Sequence, residues 1–462
     1  MSETVRGTDP ADDDEGPEFV LEEAEDAFLD GDRTAEVGTI RTALRHRDFR
    51  TLFLGMFASN IGTWMQNVIV AAMAYNITRS AWFVSLVGFA NLGPQLLLAV
   101  VGGGLADTFD RRKLILWLNV EQLVGSLLLA WIALSPNPSR PLLLFAVAFI
   151  GTGAALQSPA FLSLTPTLVP RKDLPGAVSL NSVSMNASRV IGPAIGGILY
   201  ALVGPSWVFL GNAVTYVAIM VAVMSITARP VPRPAGDESQ WARLMGGFRY
   251  VRHEPVVRRC IATVLVFSFF CMGFITVMPV LASVNLGVAS KSTTYGFLYA
   301  TFGLGAVAGA LSIGTFLAGR SLEKIVRVAL LGFAACLAAY ALLRSAVPAF
   351  PVGFLLGFFY FATVTSLATV FQGRLHDSVR GRASAVWVMS FGGTVPIGGL
   401  VAGWFVTVTS VTAVVLVGAG FAVFLAWYAD LRPPEHRGRG SARRVEAPGP
   451  AAPGTGPAPI SG

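Results

Sequence analysis

Glu121 and Arg189 are the only ionisable residues that stand well inside long apolar stretches of this 462-residue chain. A charge in hydrocarbon costs a few kcal/mol or more, so such groups face an interior and find a partner. At a rise of 1.5 Å per residue, Glu121 lies about 12 Å, and Arg189 about 20 Å, from the ends of their stretches that adjoin basic loops. Long side chains, or a bridging Asn186 or Asn119, would close the gap between them. A carboxyl group at that depth can take up and release a proton, with the guanidinium approaching and leaving it. The same two residues would equally form a fixed structural pair.

Uncharged polar residues cluster in the first half of the chain. Asn60, Trp64 and Asn67 recur at i, i+4 and i+7, which places them on one helix face. Asn91 and Gln95 repeat that spacing, and Gln157 and Asn186 stand alone in later stretches. The second half offers aromatics instead, among them Phe270, Phe274 and Tyr360. A cavity with one polar and one aromatic wall would suit an amphiphilic, mid-sized organic molecule. Each ring taken alone would also serve by packing against lipid or a neighbouring helix.

The elements that must position these residues are twelve apolar stretches of about 20 residues, the length a helix needs to cross roughly 30 Å of hydrocarbon. The expected spans are 51–76, 82–106, 114–134, 142–165, 176–202 and 206–227, then 257–284, 294–317, 324–344, 349–371, 383–407 and 410–431. Charged residues form 13% of the chain against about 25% in soluble proteins, which fits burial in lipid. The first 32 residues hold 13 of the 27 acids and one base, leaving 33 bases against 14 acids in the remainder. Alternate loops and both tails carry 29 of the 34 bases, and the other loops carry only Arg79, Arg140, Lys291 and Arg344. The positive-inside rule then puts both termini in the cytoplasm. No aromatic-interleaved basic patch points to nucleic acid, and the acidic start does not read as a secretory signal.

Residues 1–43 read as a disordered acidic tail and 432–462 as a disordered tail rich in Pro, Gly and Arg. Residues 44–227 and 257–431 form two six-helix halves. Between them, 228–256 begins as a Pro-rich linker and continues with Trp241, Leu244, Met245, Phe248 and Val251 at helical spacing, an interfacial amphipathic helix. Cys260, Cys271 and Cys336 lack ligand or disulfide-framework spacing. No phosphate-cradling loop, metal cluster or nucleophile elbow is found, so neither an enzyme nor a metal or cofactor is expected.

After span two comes Gly103-Gly-Leu105-Ala106-Asp107-Thr-Phe-Asp110-Arg111-Arg112-Lys113. This resembles the signature of the major facilitator superfamily, with Thr108 and Asp110 replacing an arginine and a glycine. Asp107 at such a tight turn can meet a helix N-terminus or a basic side chain, latching the halves in one conformation. Charge placement for topology alone would explain Arg111 and Arg112 but not Asp107. The loop between spans ten and eleven adds Arg380 and Arg382. In span five, Gly192-Pro193-Ala-Ile-Gly196-Gly197 is similar to a motif of the superfamily's exporters, and helix packing also uses such small residues. Span eleven echoes it with Pro396, Gly398 and Gly399.

Three stretches resemble the enterobactin-exporter-like (transmembrane secretion effector) branch: Phe49-Arg50 with Ser59 to Gln66, Leu168 to Ser182, and Val379 to Arg382. Many proton-coupled members carry an arginine in span four where this chain has Val147. The resemblance implies an all-α integral membrane protein of twelve helices in the bacterial cytoplasmic membrane. It further implies a secondary transporter working by alternating access, with export of a small amphiphilic molecule such as a siderophore, antibiotic or drug. A proton gradient is the expected energy source, the small-molecule substrate and the lipid bilayer are the expected partners, and a monomer is the expected state. An uptake carrier of the same fold, or a membrane sensor or lipid-handling scaffold without flux, are the alternatives.

Overall fold

A computed structural model describes residues 40–227, 240–317 and 320–431. Residues 1–39 of the expected acidic tail, the C-terminal tail and the Pro-rich start of the linker lie outside these residues, whereas Ile40–Ala43, expected to be disordered, form a helical turn with Ala43 buried. Among the described residues, nine helices are each long and apolar enough to cross a bilayer. Three more, Arg47–Thr78, Ala81–Thr108 and Leu174–Leu202, have 32, 28 and 29 residues and interleave with them as spans one, two and five. The twelve stretches follow one another in the expected order, numbered here as spans one to twelve.

Local chemistry sets the helix ends. Ser80, Ser292, Ser321 and Ser410 each accept a backbone N–H three residues on, satisfying a donor that the first turn leaves open. Asp110, which departs from the superfamily signature, does the same for span three and accepts from the N–H groups of Arg112 and Lys113. Its charge also suits the positive end of the helix dipole.

Two spans are interrupted where continuous helices are expected. Span seven runs Pro255–Val266, passes through a π turn at Phe267–Cys271, and resumes at Gly273–Thr276 and Met278–Val284. Span eleven breaks at Gly393, between Asp377–Gly392 and Thr394–Val408. The amphipathic helix forms at Gln240–His253, with Met245 and Phe248 exposed and Val251 buried.

Within the first half, span one packs on spans five and six, span two on span four, and span three on spans four and six. The second half repeats the scheme, with span eight on span ten and span nine on spans ten and twelve. The halves meet chiefly through two equivalent contacts, span five with span eight and span two with span eleven. Both tighten at the end of the bundle away from the basic loops. A Cβ on Gly197 would fall 2.6 Å from the Gly296 Cα, and one on Gly403 would fall 2.9 Å from the Ala81 carbonyl.

Towards the basic end the same faces part. Ser179, Ser182 and Val183 share the face of span five that holds Pro193 and Gly197, yet they are exposed. The face of span five that meets span eight is therefore covered from Arg189 outwards and uncovered at the basic end, the outline of a crevice between the halves.

Candidate functional site

The closed tip of this crevice is at Arg189. Span eight crosses directly beneath its backbone, because a Cβ on Gly303 would come within 2.8 Å of the Arg189 carbonyl. The guanidinium carbon lies 5.2 Å from the ring centroid of Trp64 in span one and 4.8 Å from that of Phe361 in span ten. Such distances are those of cation–π contacts. Each of the three residues stands near the middle of its helix, so the cluster sits at mid-bundle depth and joins the two halves.

Glu121 and Arg189 are not brought together: among the described residues they form no ion pair. The reason is the packing order. Span three lies against spans four and six, so Glu121 faces span four, where its carboxyl group fills the space that a side chain on Gly153 would need. Both carboxyl oxygens are buried against the backbone of Gly153, with no side-chain partner among the described residues. Beside them, Leu118, Phe145, Phe149 and Leu156 line a groove between spans three and four.

The polar wall is assembled in part. Asn60 donates to the Ser184 hydroxyl at 3.3 Å, Asn91 to the Asn67 side-chain carbonyl at 3.2 Å, and Asn186 to the Ser182 carbonyl at 2.9 Å. Gln95 is exposed, and Gln157 is buried against Gln122. Phe274 and Tyr360 belong to a buried aromatic cluster with Phe267, Phe302 and Phe333. Phe270 turns instead to span twelve, stacking on Phe421 at 3.8 Å, because it sits in the π turn.

Of the exporter-type motif, Gly192 packs on Trp64, Gly196 on Met65, and Pro193 with Gly197 on Gly296. Gly103 lies in the last turns of span two, and the Asp107 side chain lies outside the described residues. Arg111 donates to the carbonyls of Ala106 and Ser163 at 3.3 Å, and Arg112 donates to that of Met224. Arg382 lies along Gly246 and Gly247 of the amphipathic helix, and Arg380 stands two residues before it on the same helix.

Three features escape a reading by residue type. Gln66 accepts from Ser126 at 2.7 Å and from Asn212 at 3.0 Å, tying spans one, three and six in the core. Phe361 was hidden within a run of aromatics whose ring directions depend on helix rotation. The third is a clasp at the basic end, where His46 Nε2 donates to Asp173 Oδ2 at 2.8 Å. Phe49, Val169, Ala177 and Leu180 form the apolar cluster beside it, so two of the branch-like stretches meet there.

The hydrogen bond from His46, followed by one from Thr42, holds the Asp173 carboxyl below the usual carboxylate range. A depressed carboxylate stabilises the fold fully above its unfolded pKa of about 4, and that contribution falls away as pH drops through the depressed value. Asp173→Asn is therefore expected to raise amide exchange across residues 40–50 at pH 7. The wild type should show the same loosening only in acid well below pH 4.

A family model described as transmembrane secretion effector matches residues 39–446. The chain belongs to the transmembrane secretion effector family. It is 30% identical over 349 residues to the enterobactin exporter EntS of Escherichia coli O1:K1 / APEC, covering 74% of this chain and 81% of the relative. The relative of the same name in Shigella boydii serotype 4 is 29% identical over 347 residues, with the same coverage. The fold is also that of solved major facilitator transporters. A bacterial homologue of the human lysosomal transporter Spinster, inward-facing and unoccupied, superposes with a TM-score of 0.65 at 14% identity, covering 83% of this chain and 96% of that one. A bacterial homologue of the iron transporter ferroportin, also inward-facing, gives 0.63 at 16% identity, covering 83% and 99%. As a member of this family, the chain is a multi-pass inner-membrane transporter.

Proposed function

We propose that this protein exports a small amphiphilic organic molecule from the bacterial cytoplasm by proton-coupled alternating access. The crevice that opens at the basic end and closes on Arg189, Trp64 and Phe361 carries this reading. By the positive-inside rule the basic end faces the cytoplasm, so the crevice is in the position to load a cytoplasmic molecule. A substrate held between the halves near the midplane is the general arrangement of such transporters. The naming of the EntS relatives as exporters supports the direction.

Residues 44–227 and 257–431 would rock as two bodies joined by 228–256. In the open state, Arg111 and Arg112 hold carbonyls within their own half. The loop of Gly103 and Asp107 and the loop of Arg380 and Arg382 form the latch in this scheme, engaged in one conformation and released in the other. Glu121 is the proton carrier in this scheme, since acidic groups within spans mark proton relays. Its isolation from Arg189 leaves no ion pair to be broken when the proton binds.

Inverted vesicles acidified inside provide the test. Adding a transported compound should release protons and restore the fluorescence of a trapped pH dye. Glu121→Gln should remove this response at every pH while leaving substrate binding intact. An unchanged pH dependence in the variant would eliminate Glu121 from coupling.

A further inference from the structure

Arg189 is a midplane cation without a carboxylate. The two ion pairs among the described residues, His46–Asp173 and Arg327–Asp430, do not involve it, and Glu121 is turned to Gly153. Its Nε is buried with no acceptor. Rings of Trp64 and Phe361 occupy positions over the guanidinium, one from each half. Rings satisfy the faces of a guanidinium but accept none of its in-plane N–H groups, which match the two oxygens of a carboxylate. An uncompensated cation at this depth is costly unless something transient completes it.

An aromatic path leads away from the cation. Phe361 meets Tyr360 at 4.7 Å between centroids, and Tyr360 meets Phe302 at 5.8 Å. Phe302, Phe274, Tyr299 and Tyr340 line a small apolar cavity of about 20 Å³ beyond it. The cation with Trp64 and Phe361 lies where the halves converge, and the path of rings continues from there into the second half.

We infer that the transported molecule is an aromatic anion, its carboxylate or similar planar anionic group set against the edge of Arg189 and its ring system along the aromatics of span ten. This rests on the reading of the crevice as the substrate path and specifies the class of substrate it takes. The charge has a consequence for energetics, because the inside-negative membrane potential itself drives an anion outward. Trp64 and Phe361 come from opposite halves, so the complex that fills Arg189 also bridges the two moving bodies.

Equilibrium binding to the full-length protein in lipid nanodiscs tests this without any flux. The probes are salicylate, 1-naphthoate and 9-anthroate, each compared with its neutral carboxamide. At least one carboxylate should saturate and bind about tenfold more tightly than its amide, the scale of a hydrogen bond to a charged group. Arg189→Gln should bring the pair to equal affinity, and Phe361→Leu should weaken both. Absence of saturable carboxylate binding, equal wild-type affinities, or a preference that survives Arg189→Gln would each overturn the inference. The wild-type comparison decides the matter even where the Arg189 variant fails to fold. A retained preference without vesicle flux would defeat the export reading alone, whereas flux of neutral compounds with equal affinities would defeat the anion site alone.

Discussion

Gly296→Leu is expected to yield a folded, inserted protein whose transport falls at least tenfold. Span eight approaches span five so closely that a Cβ on Gly296 would lie 2.5 Å from the Pro193 carbonyl and 2.6 Å from the Gly197 Cα. The atoms it would strike are backbone, which cannot rotate away as a side chain can. Small residues at such crossings are what allow two helices to approach. The contact joins the halves to each other and not the helices of one half, so relief is available by keeping the far end apart. The variant should therefore favour the arrangement in which the crevice opens away from the basic loops. Spin labels on the two halves at that end should report a longer separation than in the wild type, with the melting temperature little changed. An unaltered separation with full transport would show that this crossing is not part of the cycle.

The same substitution inside one half has the opposite signature. Gly357→Leu should cost about 3 kcal/mol or more of stability, at the upper end for overpacking a close-packed interior. A Cβ there would meet Phe302 of span eight at 2.9 Å and the Ala306 nitrogen at 3.0 Å. Gly309 makes the reciprocal approach, its Cβ position lying 2.9 Å from Phe358. Spans eight and ten are bound to move together in any rocking motion, so no alternative state relieves the clash. Loss of folded protein in size-exclusion profiles is the expected result, where Gly296→Leu gives a normal profile with transport reduced at least tenfold. Equal behaviour of the two variants would remove the distinction between packing within a half and contact between halves.

The membrane spans were legible because hydropathy registers directly over 20-residue windows, and the positive loops added their polarity. The glycine motif of span five was legible as a place of close approach, although its partner could not be read. Gly197 meets Gly296 and Gly192 meets Trp64, pairings that depend on how whole helices are rotated. Rotation is also why Glu121 and Arg189, the two charges that suggested a pair, sit in different places. One faces span four and the other faces spans one and ten. The π turn in span seven adds a local irregularity that no hydropathy period announces, and it carries Phe270 to span twelve. Asp173 lay in a recognisable stretch, but its clasp to His46 spans 127 residues and had no local signal. Asp110 looked like a defect of the signature and is the cap of span three.

Proton-driven outward movement of a substrate through the crevice is open to direct measurement. Accumulation of a radiolabelled aromatic carboxylate in inverted vesicles, measured with an imposed acid-inside gradient and again after a protonophore, tests it most directly. The label should concentrate above the external level with the gradient and fall back to it without. Accumulation indifferent to the protonophore would contradict the proton coupling, and entry that never exceeds the external level would contradict active export.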